Sequence, residues 1–173
     1  MTAEEVAPGA ESVPGVDSLT MRPMRWWHIE GAMPLEAKLF GATAWSAAQM
    51  WSELARPQRR YYVLTPAVDE GSVVLGYAGV SILAPDADVQ TVAVAPSLQG
   101  RGWGRRLVSR LVDDAVSAGC TQVMLEVRAD NTAALALYEG CGFEVIARRS
   151  SYYGSGQDAL IMRWRSVAES DLT

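Results

Sequence analysis

Residues 91–111 read Thr-Val-Ala-Val-Ala-Pro-Ser-Leu-Gln-Gly-Arg-Gly-Trp-Gly-Arg-Arg-Leu-Val-Ser-Arg-Leu. β-Branched residues recur over 89–94 and predict a strand. Pro96 ends it, because a proline cannot donate to a ladder. Gly100, Gly102 and Gly104 then alternate, as in a loop that passes close to a neighbour and needs φ values other residues resist. From Trp103 the period changes. Trp103, Leu107, Leu111 and Ala115 fall four apart, so a helix opens there and runs to 118, with Gly119 fitted to stop it. A glycine loop feeding a helix start presents unpaired N–H groups at the positive end of a dipole, which suits phosphate. Arg101, Arg105, Arg106 and Arg110 add cations, and no acid occurs among residues 91–111. A solvated surface turn would explain the arginines but not their coincidence with the glycines and the helix start.

The phosphate ligand is narrowed by what the loop lacks. A P-loop follows its glycines with Gly-Lys-Ser or Gly-Lys-Thr, whereas this chain has Trp103-Gly104-Arg105. A dinucleotide fingerprint needs Gly or Ala where Arg105 stands.

Outward from the loop, residues 121–128 predict a strand in which Val123, Leu125 and Val127 alternate with Met124, Glu126 and Arg128. Asp130 is placed to cap a short helix over 131–139, closed by Gly140. Strands over 143–148 and 159–164 follow. Upstream, strands over 60–65 and 72–83 join across Asp69-Glu70-Gly71, a hairpin signal. Gly76 and Gly79 inside the second mark a bulge or a close approach. Pro85-Asp86-Ala87-Asp88 reads as a turn. Earlier still come helices over 33–40, with Pro34 in the first turn, and 44–55, capped by Ser46 and stopped by Pro57. Arg-Trp-Trp-His-Ile over 25–29 reads as the first strand. The string is α/β or α+β with a mixed sheet, and neither an internal repeat nor a second domain is visible.

Composition sets outer bounds. The 173 residues are 49% hydrophobic and 20% charged, an ordinary globular balance for one domain. No apolar run approaches the ~20 residues of a membrane helix. The net charge of −5 is concentrated at the ends. Residues 1–21 carry four acids and no Lys or Arg, and with Pro8, Gly9, Pro14 and Gly15 they read as a flexible acidic tail. They lack the basic start and apolar segment of a secretory signal. Residues 166–173 read as a second tail with two more acids. Without these six acids the body, 22–165, holds 15 basic and 14 acidic residues, which argues against a nucleic-acid face. Cys120 and Cys141 have neither metal nor redox spacing and read as buried thiols in a reducing cytoplasm. A single histidine, His28, leaves little material for a His-based triad or a metal site, and its expected role is structural.

A second constellation is Leu125-Glu126-Val127-Arg128, Asn131 and Leu137-Tyr138. A carboxylate near a strand end and a phenol on the next helix can face one cleft. Equally, Glu126 can pair with Arg128 or another cation on a solvated face while Tyr138 packs in the core. Spacing alone leaves both open, as it leaves Trp45, Tyr152 and Tyr153 between packing and contact.

Taken together, the Val-Ala-Val strand ending in Pro96 and the order Gln99-x-x-Gly102-x-Gly104 resemble the acetyl-CoA loop of the Gcn5-related N-acetyltransferases (GNAT). Leu-Glu-Val-Arg, Asn131, Ala-Leu-x-Leu-Tyr and the following Gly-Phe resemble the ribosomal-protein-alanine branch of that family. The resemblance spans roughly residues 24–164 and is dense only in the second half. It implies a mostly antiparallel sheet of about seven strands flanked by about four helices. It implies acetyl-CoA as co-substrate, with no metal. The backbone of Val92, Ala93 and Val94 would hold the pantetheine. The segment Gln99, Gly100, Arg101, Gly102, Trp103, Gly104 and Arg105 would take the pyrophosphate, and Asn131 would contact the cofactor. Glu126 is then the base and Tyr138 the acid. Trp45, Tyr152 and Tyr153 would contact the acceptor, implied to be the N-terminal peptide of a small-subunit ribosomal protein. Rival acceptors are a small amine or a lysine side chain, and a non-catalytic acyl-CoA-binding regulatory domain is the reading outside enzymes.

Overall fold

A computed structural model of the protein describes residues 18–67, 73–150 and 158–166. The elements run β1 (Leu19–Pro23), α1 (Ile29–Phe40), α2 (Ala47–Leu54), β2 (Arg59–Pro66), β3 (Gly76–Leu83) and β4 (Asp86–Val94), then α3 (Trp103–Ser117), β5 (Gln122–Arg128), α4 (Thr132–Glu139), β6 (Glu144–Arg149) and β7 (Ala159–Arg165). The seven strands form one sheet in the order β1-β2-β3-β4-β5-β7-β6. Every pairing is antiparallel except β4 with β5. The expected class, a mixed and mostly antiparallel sheet with four helices, is the one observed.

Each face of the sheet carries its own core. Helix α3 buries Leu107, Val108, Leu111, Val112 and Ala115 against Leu64, Val80, Val123, Leu125 and Val127, and α4 adds Tyr138. The 3.6-residue period puts those α3 positions on one side, as their spacing in the chain requires. On the opposite face α1 and α2 bury Ile29, Ala32, Leu35 and Met50 against Val63, Tyr77 and Ala93. Ser46 caps α2 by accepting from the N–H of Gln49, at 3.2 Å. Cys120 is buried and Cys141 half-buried, and both are free thiols.

The structure corrects the reading of the chain's start. The first strand is Leu19–Pro23, paired antiparallel with β2, so three residues assigned to the tail belong to the sheet. Residues 25–29 are not a strand. Trp26–His28 form a 3₁₀ turn, closed where the Arg25 N–H donates to His28 Nδ1 at 2.8 Å, and α1 begins at Ile29. Trp26 and Trp27 are half exposed, and Trp26 stacks on Trp51 of α2 with centroids 6.0 Å apart. Pro34 therefore lies inside α1 and not in its first turn. Two smaller corrections follow. Strand β4 already begins at Asp86, where a turn was expected. The cap of α4 is Asn131, because Arg128 engages Asp130 at 2.6 and 3.0 Å. The hairpin expected at 69–71 lies outside the described residues.

Candidate active site

The sheet comes apart in the middle. Strands β4 and β5 pair only at Asp86↔Gln122, Ala87↔Val123 and Asp88↔Met124. Just beyond, the register of β4 on β3 shifts between Val80↔Val89 and Gly79↔Thr91, which leaves Gln90 as the extra residue of a bulge. A bulge bends and twists its strand. The outer residues of β4 stay paired to β3 and leave β5 behind. The Ala95 N–H donates to Leu75 O at 2.8 Å, on the β3 side. Backbone direction alternates along a strand, so the N–H groups of Val94 and Val92 turn toward the gap.

The glycine loop stands at the mouth of this gap. Gly100 and Gly102 have φ of +73° and +81°, and nothing lies within 4 Å of a Cβ built on either. These two glycines are required by backbone conformation, not by crowding. Gly104 is different: its Cβ would lie 3.1 Å from Leu137 of α4, so it lets α3 approach α4 closely. Gly102 caps α3, and the first turn leaves the amides of Trp103, Gly104 and Arg105 without intrahelical acceptors. Gln99 Nε2 donates to Val94 O at 3.2 Å and ties the loop to the strand end. Arg101, Arg105 and Arg106 make no ion pair among the described residues. Arg106 lies 4.6 Å over the Trp103 ring, and Arg105 reaches beside Gly140. Arg110 does not join them. It pairs with Asp114 at 3.1 Å and covers the Tyr62 ring.

Glu126 and Tyr138 lie on opposite faces of the sheet. On β5, Val123, Leu125 and Val127 enter the α3–α4 core, so Glu126 lies on the face toward α1 and α2. Tyr138 is buried in the α3–α4 core with its ring 5.9 Å from Phe143. The bland expectation for Glu126 holds in part: its Oε1 accepts from Arg149 Nη1 at 2.6 Å, in a partly exposed pair. The partner is Arg149 of the edge strand β6 and not Arg128. Asn131 spends its Oδ1 on the Ala134 N–H at 3.1 Å, as the cap of α4, which leaves its Nδ2 donors available. Trp45 is half-buried on the Glu126 side, and its backbone N–H donates to Glu36 Oε1 at 2.7 Å. Tyr152 and Tyr153 lie outside the described residues.

Two neighbours of the gap went unread in the chain. Arg149 is brought to Glu126 by the β5-β7-β6 order, which pairs both Arg128 and Arg149 with Ala159. Asp88 sits on the last parallel pair. Burial first, then the Asp86 carboxylate, push its carboxyl above the ordinary range, with Arg59 opposing and Glu126 adding. Glu36 is buried and raised by desolvation, and it also accepts from the Tyr77 hydroxyl. Glu53 is held by Arg59 at 2.9 Å and by Tyr61 at 3.0 Å. Neither glutamate is left to bind a cationic ligand. Among the described residues no cluster of three or more His, Cys, Asp or Glu could hold a metal, and no helix is long and apolar enough to cross a membrane.

Comparison with known proteins agrees with this architecture. Residues 23–143 match the model of the acetyltransferase (GNAT) family. The chain is 44% identical over 135 residues to the N-alpha-acetyltransferase RimI of Mycobacterium tuberculosis, covering 75% of this chain and 81% of that one. The crystal structure of the ribosomal-protein-S18-alanine N-acetyltransferase from Escherichia coli superposes with a TM-score of 0.75 at 30% identity, covering 90% and 99%. Arabidopsis thaliana NAA60, solved in complex with acetyl-CoA, shares the fold at 16% identity with a TM-score of 0.76, covering 86% and 98%.

Proposed function

The chain belongs to the GNAT acetyltransferase family, and from that premise we propose that it moves the acetyl group of acetyl-CoA directly onto the N-terminal α-amine of a protein. The acceptor we propose is the N-terminal alanine of a small-subunit ribosomal protein. The names of the RimI and S18-alanine relatives support that choice. The observation that carries the reading is the gap between β4 and β5, with the glycine loop at its mouth and a carboxylate and a phenol on opposite faces.

Acetyl-CoA supplies an activated thioester carbonyl. The amides of the segment Gly100 to Arg105, apart from the Arg101 N–H that Leu98 O accepts at 3.3 Å, suit its pyrophosphate, with the Arg101 and Arg105 side chains beside them. The N–H groups of Val92 and Val94, one on each side of Ala93, suit pantetheine amides and the thioester oxygen. Asn131 Nδ2 is a further donor toward the same ligand.

Glu126 serves as the base on the α1–α2 side, acting through water, with Trp45, Tyr152 and Tyr153 contacting the peptide. Arg149 holds one carboxylate oxygen, so Oε2 takes the proton. An α-amine has a pKa of about 7.7–8.0, so one carboxylate is a sufficient base; a lysine amine, near ~10.4, is mostly charged. Tyr138 donates its phenolic proton to the departing sulfur from the other face. The amine attacks the carbonyl, the C–S bond breaks, and the acetyl group reaches the acceptor without a covalent enzyme intermediate. Glu36 and Glu53 are committed to internal contacts, which disfavours a small cationic acceptor.

The test is intact-mass analysis of peptides beginning Ala-Arg, Met or Ser, incubated with enzyme and acetyl-CoA. The Ala-Arg peptide gains one acetyl group at its α-amine. Glu126→Gln and Tyr138→Phe each lower kcat by about 100- to 10,000-fold with the fold intact. Unchanged kcat in both variants would refute the two roles. Acetylation only of lysine side chains would refute the acceptor.

A further inference from the structure

The corner between β1 and α1 is not used in the proposed transfer. Its 3₁₀ turn borders an open cavity of about 290 Å³ lined by Arg22, Pro23, Arg25, Trp27 and His28. His28 is 2% exposed. Its Nδ1 accepts from the Arg25 N–H, so the imidazole proton sits on Nε2. Among the described residues that Nε2 is buried with no hydrogen-bond partner, and so is Nε of Arg22. Both atoms belong to residues that line the cavity, and orphaned donors are unusual, since buried polar groups are nearly always satisfied. Arg22 and Arg25 make no ion pair with an acid among the described residues. Burial, then the charges of Arg22 and Arg25, hold His28 below its ordinary pKa, so the ring stays neutral and keeps Nδ1 as the acceptor. Among the described residues the corner thus offers two positive charges without an acidic partner and two N–H donors without an acceptor.

We propose that this corner binds a phosphate group, with Arg22 and Arg25 supplying the charge and His28 Nε2–H a directed hydrogen bond. A phosphate carries about −1.5 to −2 near neutral pH, which matches two guanidiniums, and it has oxygens enough for each donor. Trp27, half exposed with its ring 5.6 Å from His28, flanks the cavity and offers an aromatic face to whatever bears the phosphate.

His28 is the only histidine, so one imidazole signal reports the site. Full-length protein labelled with ¹⁵N-histidine is titrated with inorganic phosphate at constant ionic strength, with CoA absent and then saturating. The Nε2–H resonance shifts saturably in both conditions. Arg25→Gln, a change at an exposed residue that leaves the fold intact, weakens the apparent affinity about tenfold, and Arg22→Gln does the same. Phenyl phosphate forms a second arm. Tighter binding than inorganic phosphate identifies a ring-bearing monoester against Trp27, and equal or weaker binding identifies free phosphate. No saturable shift would overturn the proposal. So would an equal shift from chloride, or a response that vanishes once CoA is bound, which would make the site another view of the coenzyme's own phosphates. The acetyl-transfer reading stands or falls separately, on the peptide assay.

Discussion

Gly79 offers the sharpest mechanical test of how the sheet is held. It lies opposite Tyr61 in the β2–β3 register, one step from the bulge. A Cβ on Gly79 would sit 2.1, 2.4 and 2.5 Å from Cε1, Cζ and Cδ1 of Tyr61. Those atoms are the body of a ring only 5% exposed, so no flexible tip can yield. The ring must swing out in Gly79→Ala. Overpacking alone costs about 1–3 kcal/mol. Losing the hydroxyl's bond to the Glu53 carboxylate adds about 1.5–3 kcal/mol. The expected total is about 2.5–6 kcal/mol, a large part of a typical stability of about 5–15. For a domain of this size that lowers Tm by about 5–24 °C. Urea titration followed by far-UV circular dichroism measures it. In a Tyr61→Ala background the same change costs less than about 0.5 kcal/mol, because the colliding ring is gone. An equal cost in both backgrounds, or a cost below about 1 kcal/mol in the wild type, would refute the collision argument.

Gly102→Ala, at φ +81°, costs about 1–2 kcal/mol in stability and weakens CoA binding in calorimetry. Arg149→Met breaks a partly exposed pair, so urea midpoints imply less than about 1 kcal/mol. Its kcat falls while the KM for acetyl-CoA holds, since Arg149 acts through Glu126 and not at the glycine loop. His28 has a lowered folded pKa. Between that value and the unfolded one, ~6.5, the unfolded chain binds more protons, so stability falls as pH drops below about 6.5. His28→Gln flattens that slope in urea midpoints measured across the range, and an unchanged slope would exclude His28 as its source.

The second half of the chain was legible because its signals are local. Glycine alternation, the four-residue spacing from Trp103 and the alternation of Val123, Leu125 and Val127 each decide their element without distant help. Ser46 was readable as a cap for the same reason. The start was misread because Arg-Trp-Trp-His-Ile has strand-forming residues whose fate is set elsewhere. Trp26 finds Trp51 on α2, and the Nδ1 of His28 closes the turn, so tertiary contacts override propensity. Competition between Asp130 and Asn131 for the cap was settled by Arg128, which draws Asp130 away. The pairing of Glu126 with Arg149 joins residues 23 apart across an intervening strand. No spacing rule encodes it, because it depends on β7 inserting between β5 and β6.

The three-pair junction of β4 with β5 also has a thermodynamic corollary. A sheet laced so briefly at its centre is least stitched at the place proposed for the coenzyme, and a guest that bridges both sides would supply the missing lacing. Saturation at a hundred times its Kd then adds about 2.7 kcal/mol to the folded state. Melting temperature becomes a gauge of occupancy, and amides on both flanks of the seam exchange with solvent more slowly when it is filled.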